Sequence, residues 1–194
     1  MNAPSNAAPH PEPRTDGPGP LVRALLERTG LVALFDARMA GDVDAARAAR
    51  ATLESADLFA LGAFADAIRA REVGPVVRIH AGSPAGALVL GKLGQDGLSL
   101  LREVAIARVT SAPGTRLCVD FVATGMEIAE VALAFGASEL VGPTLNKRGL
   151  AIADDATRKV KGQGMVSEAL LKQKDIARVL AASGREVSFE GAAR

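Results

Sequence analysis

Between Arg102 and Gly142 the spacing of apolar residues changes repeatedly, and this stretch predicts the unit around which the rest of the chain is arranged. Leu98, Leu101, Val104, Ala105 and Val109 recur at helical spacing and end near Pro113, so a helix delivers the chain into it. Leu117, Val119 and Phe121 then alternate with Arg116, Cys118 and Asp120, which is the period of two of a strand with unlike faces. Thr124 and Gly125 break that strand. Ile128, Val131, Ala132 and Phe135 return to helical spacing, Gly136 is placed to close the helix, and the short apolar run Glu139 to Val141 follows. The pattern is a βαβ unit, in which a crossover this short makes the strands parallel and the connection right-handed.

The flanking segments extend the same reading. Leu21, Leu25, Leu26, Leu31, Val32, Leu34 and Phe35 predict a helix interrupted at Gly30; Gly41 ends it, and Asp42 caps a weakly apolar helix through Val43, Ala46 and Leu53. Glu54 to Glu72 is the strongest helical pattern of this half, with Ser55 or Asp57 as its cap and Leu58, Leu61, Phe64, Ala65 and Ile68 as its stripe. Gly74 and Pro75 stop it and launch a strand from Val76 to His80. Ala81 to Gly97 holds five glycines and one proline, with a turn of helix expected within Ala85 to Leu93. After Gly142 a polar segment reads as a long surface loop, Met165 to Ser183 as an amphipathic helix carrying Leu170, Leu171, Ile176, Val179 and Leu180, and Glu186 to Phe189 as a last strand. The expected architecture is a three- to four-stranded, mainly parallel α/β sheet flanked by helices, a partial TIM-barrel-like wall. It occupies a single domain over 21–194. Residues 1–20, with six of the ten prolines and no apolar period, read as a disordered lead.

Composition narrows the function classes. The 23 basic and 22 acidic side chains leave a formal charge of +1, which predicts neither a nucleic-acid nor a membrane-surface partner. The only aromatics are six phenylalanines, too few for base-stacking platforms. One cysteine, Cys118, excludes an intrachain disulfide and any metal or iron-sulfur centre held by cysteines of one chain alone. No run approaches the roughly 18 apolar residues of a membrane span, and the start of the chain lacks the pattern of a secretion signal, so a cytoplasmic location is expected.

Three segments, in order, resemble one group of radical S-adenosylmethionine enzymes: the aminofutalosine and cyclic dehypoxanthine futalosine synthases of menaquinone biosynthesis, with the related deazaflavin-forming synthases. They are SADLFALGAFADAIRAREVGPVVRI at 55–79, DGLSLLREVAIARVTSAPGTRLCVDFVATGMEIAEVALAFGASELVGPTL at 96–145 and GMVSEALLKQKDIARVLAASGREVSFEG at 164–191, about half of the chain together. In that family these look like the lead into the first barrel strand, the late barrel strands, and the C-terminal helix and strand. The family's first strand is followed by a CxxxCxxC loop whose cysteines hold a [4Fe-4S] cluster that cleaves S-adenosylmethionine. Here His80 is followed by AGSPAGALVLGKLGQDG, without cysteine, and the middle of the barrel is missing. Past the late turn, where the family tends to carry acidic residues, stand Gly142, Thr144, Asn146 and Lys147. The resemblance therefore implies a truncated, non-catalytic relative without cluster or S-adenosylmethionine. Such a protein would serve as an accessory or binding partner in the futalosine pathway. Strand edges left by the lost half-barrel would be covered by a full-length paralogue or by a second copy in a homo-oligomer.

The candidate ligand-binding residues are His80, Asp120, Thr124, Gly125 and Thr144, with no catalytic residue assigned. His80 ends a parallel strand, where open sheets and barrels place ligands. Its ordinary role would be a hydrogen bond to the following loop. Asp120 is a carboxylate inside a strand and needs a partner, Arg78 or Arg116 being the structural choices. Thr124 and Gly125 form a strand-to-helix turn whose N–H groups suit an anion, or simply start a helix. Cys118 reads as a small buried residue and the glycines of 82–97 as a linker across deleted structure. The alternative function is a small-molecule-binding protein, or an enzyme of another class, with its pocket at the strand ends around His80, Asp120 and Thr124.

Overall fold

The computed structural model describes residues 18–145, 151–152 and 171–190. Residues 1–17 of the proline-rich lead, and Ser167 and Leu170 of the expected last helix, lie outside them.

Four short helices open the chain: α1 (Pro20–Arg28), α2 (Val32–Met39), α3 (Val43–Ala48) and α4 (Arg50–Ser55). Pro20, expected in the lead, instead starts α1. The break between α1 and α2 falls at Thr29–Gly30, with Gly30 at a φ of 74° that suits a residue without Cβ. Asp42 caps α3 by accepting from Ala45 N at 2.8 Å. The single helix expected from Val43 to Leu53 is divided at Ala49. Of the two caps considered for α5 (Leu58–Glu72), the structure uses Asp57, which accepts from Ala60 N at 2.9 Å.

The principal sheet is built from β1 (Val76–His80), β2 (Leu88–Leu90), β3 (Leu117–Asp120), β4 (Glu139–Val141) and β8 (Glu186–Glu190), in the order β2-β3-β4-β1-β8, every pair parallel. The α/β class and parallel sheet are as expected; the strands number five. The added one is β2, where a turn of helix was expected within Ala85 to Leu93. Its three apolar residues carry too little pattern to be read as a strand, and it forms because Leu88 N donates to Arg116 O at 2.9 Å along β3. Helix α6 (Gly97–Thr110) joins β2 to β3, and α7 (Phe121–Thr124) with α8 (Met126–Leu133) joins β3 to β4. Phe121, expected in the strand, is thus the first residue of α7. A small second sheet joins β5 (Thr144–Leu145) and β6 (Ala151–Ile152), in the segment read as a loop, with β7 (Leu171–Lys172), in the stretch read as the last helix. Consequently the last helix, α9 (Gln173–Ala182), begins after Leu171.

The strands present two unlike faces. Val77, Ile79, Leu90, Val119 and Leu140 join one apolar cluster with Leu61, Phe64 and Ile68 of α5, Leu101 and Val104 of α6, Leu133 of α8, and Ile176 and Leu180 of α9, against which Val187 and Phe189 pack. Because side chains alternate, the register places Val89, Cys118, Glu139, Arg78 and Ser188 in one row on the opposite face. Asp120, Val141, His80 and Glu190 form the next row. None of these nine residues belongs to the apolar cluster. Parallel sheets are ordinarily apolar and helix-covered on both faces. Here the connection from β1 to β2, residues 81–87, is too short to hold a crossover helix, although β4 and β3 lie between the strands it joins.

At the amino ends of the strands three buried arginines tie the helices to the loops. Arg108, wholly buried, donates to Gly136 O (2.8 Å), Thr115 O (2.9 Å) and Ser138 Oγ (3.2 Å). Arg38 donates to Val109 O and to Glu72 Oε1, and Arg69 to Asp66 and Gly74 O. Burial pulls the Arg108 pKa down, with Glu72 opposing that shift and Arg69 and Arg38 adding to it. Among the described residues no helix is long and apolar enough to cross a membrane.

Candidate functional site

Glu139 organises the polar face. It stands on the central strand β4 and is 1% exposed. Its carboxylate accepts two hydrogen bonds from Arg116 of the neighbouring region of β3, Nε to Oε1 at 2.8 Å and Nη2 to Oε2 at 2.7 Å, the bidentate geometry that a guanidinium suits best. His80 Nε2, from β1 on the other side, lies 2.7 Å from Oε2 and 3.2 Å from Arg116 Nη2. A hydrogen carried on Nε2 is donated to the carboxylate. Cys118 Sγ donates to the same oxygen at 3.4 Å. Three adjacent strands therefore converge on one carboxylate.

The electrostatics follow from this geometry. Burial works against ionisation of Glu139, but the hydrogen bonds from Arg116 and Cys118, with the charges of Arg116 and His80, outweigh it and hold the carboxyl below its ordinary value. The same hydrogen bonding raises the Arg116 guanidinium above its own, against partial desolvation. Cys118 moves the other way. Burial first, then the adjacent Glu139 charge and hydrogen bond, push its thiol up to about 12, so it stays protonated and unreactive near neutral pH.

The residues singled out in the sequence are brought together only in part. His80 is buried at the carboxyl end of β1, but it pairs with Glu139 rather than with the loop that follows. Asp120 meets neither arginine considered for it: Arg116 is taken by Glu139, and Arg78 lies 3.9 Å from Glu190. Instead Asp120 Oδ1 accepts from Val122 N (2.8 Å) and Ala123 N (3.2 Å), capping α7. Thr124 Oγ1 donates to Asp120 O at 2.8 Å, and Gly125, at a φ of 84°, separates α7 from α8. Thr144 lies in the second sheet, buried, its Oγ1 accepting from Gln173 Nε2 at 3.3 Å. Asp120, Thr124 and Gly125 thus form one capped turn, His80 belongs to the Glu139 cluster, and Thr144 stands apart from both.

Glu139 and Arg116 are the residues that sequence reading did not put in a site. A signal was present. RLCVD and VRIH each place apolar residues on one parity and mostly polar ones on the other, so those two strands announce a polar face, whereas ELV reads as a short apolar run with one carboxylate. Two open cavities lie elsewhere. One of about 840 Å³ lies along β2 and α6, and one of about 1180 Å³ between α1 and α5.

The fit to the iron-sulfur group of the resembled enzymes can be judged from the donors. Three thiolates are needed, whereas the chain has one cysteine, enclosed in β3 with a thiol that resists ionisation. Among the described residues no group of three or more His, Cys, Asp or Glu is arranged to hold a metal ion. The residues do not fit the group. Comparison with protein-family profiles, with curated proteins and with solved structures finds no match to this chain.

Proposed function

We propose that this protein is a non-catalytic relative of the radical S-adenosylmethionine enzymes, working in the cytoplasm as an accessory or binding partner in futalosine-pathway menaquinone biosynthesis. The ordered sequence resemblance supplies the pathway. The observation that carries the non-catalytic reading is that the reactive groups of the polar face are already committed to one another. The Cys118 thiol and His80 are spent on Glu139, the carboxylate of Glu139 on Arg116, and Asp120 on the amino end of α7. A general acid, base or nucleophile needs a free proton site or lone pair within reach of a substrate. Cys118 and Glu139 can offer neither without breaking a buried bond, while His80 and Asp120 keep one atom each, Nδ1 and Oδ2, outside these bonds.

Iron and sulfide analysis of protein purified and reconstituted anaerobically tests this reading, together with co-purification against a full-length futalosine-pathway radical enzyme. The expected outcome is no stoichiometric cluster and a stable complex. A stoichiometric [4Fe-4S] cluster in the single chain would overturn the proposal. The second reading, a small-molecule site at the strand ends, rests on His80, whose ring closes the carboxyl end of β1 beside Arg116. Thermal-shift measurements with S-adenosylmethionine, nucleosides and menaquinone precursors separate the two, since a specific ligand raises the melting temperature by mass action.

A further inference from the structure

The principal sheet has two edges, and they are built differently. The β8 edge carries charge, with Glu186 and Glu190 exposed and Arg78 beside Glu190. The β2 edge is Leu88, Val89 and Leu90, without a charge, a proline or a bulge, and so lacks the usual guards against further strand pairing. Leu88 N is used toward β3, and in a parallel ladder alternate residues face alternate neighbours, so the N–H and C=O of Val89 point outward. Beside this edge lies the cavity of about 840 Å³, floored by Leu88, Leu90, Leu98 and Ile106. Leu88 is 44% and Leu98 64% exposed, large for leucines that adjoin a common groove.

We infer that the β2 edge is a twofold interface between two copies of this chain, joined antiparallel about Val89. The inference is independent of the accessory role proposed above. A twofold axis through Val89 lets the two Val89 residues exchange both free backbone groups. It sets Leu88 of one copy against Leu90 of the other on the helix-bearing face, where both enter the cavity. The two α6 helices then lie side by side and enclose Leu98. The charges favour a second copy over a strongly acidic or basic partner. Arg50 and Arg102 share the rim with Glu103, and Glu54 holds Arg50 at 2.9 Å, so a rim of mixed sign meets its own mixed sign across the axis.

Sedimentation velocity of the full chain over a range of concentrations tests the inference, with Leu88→Lys as the edge variant and Ser188→Lys on the β8 edge as its control. The native chain and S188K are expected to sediment at twice the 19.9 kDa chain mass, and L88K to dissociate at least about tenfold more readily while still unfolding in one cooperative transition. If L88K does not fold, Leu98→Lys takes its place, because Leu98 lies on the helix rather than in the ladder. A native chain that stays monomeric at every concentration overturns the inference. A dimer indifferent to both leucine changes, or one broken by S188K alone, overturns it equally.

Discussion

Removing either member of the Arg116–Glu139 pair leaves a different orphan, and the structure says which is worse. Arg116→Met strips both strong donors from a carboxylate that is almost wholly buried, leaving it to His80 and the Cys118 thiol. Breaking a buried ion pair in this way costs roughly 3–5 kcal/mol, and the remaining His80 contact places this case near the lower end, at about 3 kcal/mol. Glu139→Gln leaves Arg116 instead, whose side chain is 39% exposed and can turn to water while still donating to the amide oxygen. Its cost is smaller, about 1–2 kcal/mol. Once Gln stands at 139, replacing Arg116 should matter little, so the coupling in the double-mutant cycle should be about 3 kcal/mol. Urea unfolding of the four proteins at neutral pH, with equal m-values, measures all of these quantities. A glutamine variant as damaged as the methionine variant, or a coupling below about 0.5 kcal/mol, would refute the reasoning. There is also a pH signature. The folded-state carboxyl titrates below its ordinary value of 4.5, so between those two values the unfolded chain binds more protons and stability rises with pH. The contribution is complete above that ordinary value and lost as pH falls through the folded one. Glu139→Gln should abolish it.

Three further outcomes are expected. Because the Cys118 pKa is raised from 9.0 to about 12, stability should fall as pH climbs from 9.0 toward the folded value, with a slope approaching ~1.4 kcal/mol per pH unit, and Cys118→Ala should flatten that limb in a pH series of unfolding curves. Gly91→Ala should destabilise by about 1–3 kcal/mol, since its Cβ would sit 2.6 Å from Thr124 Cγ2 at a φ of 102°; Thr124→Ser should recover only the steric share in thermal melts. Asp120→Ala should lower stability by about 1 kcal/mol through the lost α7 cap and leave any S-adenosylmethionine or nucleoside affinity unchanged by calorimetry, whereas a large affinity loss would return Asp120 to a binding role.

The parts of this fold legible in the sequence are those in which a local pattern and its tertiary use agree. β1, β3, β4 and α6 declare themselves by period, and Asp42, Asp57 and Gly30 by their chemistry at helix ends. β2 does not, because a three-residue edge strand exists only through its pairing with β3. Phe121 continues the alternation of β3 in the sequence, but the Asp120 cap turns the chain into a helix one residue earlier. Leu171 fits a helical stripe on paper and is drawn into a strand by Thr144, which lies beside it in the second sheet. For the site, the polarity of one face was readable from β1 and β3. The identity of the pairs was not: Arg116 had two acidic neighbours to choose between, Asp120 and Glu139, and only the register of β3 with β4 selects the latter.

The short link from β1 to β2 bears on how the chain assembles as it is made. Ile79 pairs with Leu140 on one side and Phe189 on the other, and with nothing synthesised close to it. As the chain leaves the ribosome, β1 has no ladder partner until β4 has emerged, and its second flank stays open until β8 follows. The middle of the sheet is thus closed by its most distant contacts, the arrangement that slows folding and leaves apolar intermediates open to association. A nascent chain arrested before Glu139 would hold Val77 and Ile79 on a strand with no sheet to join.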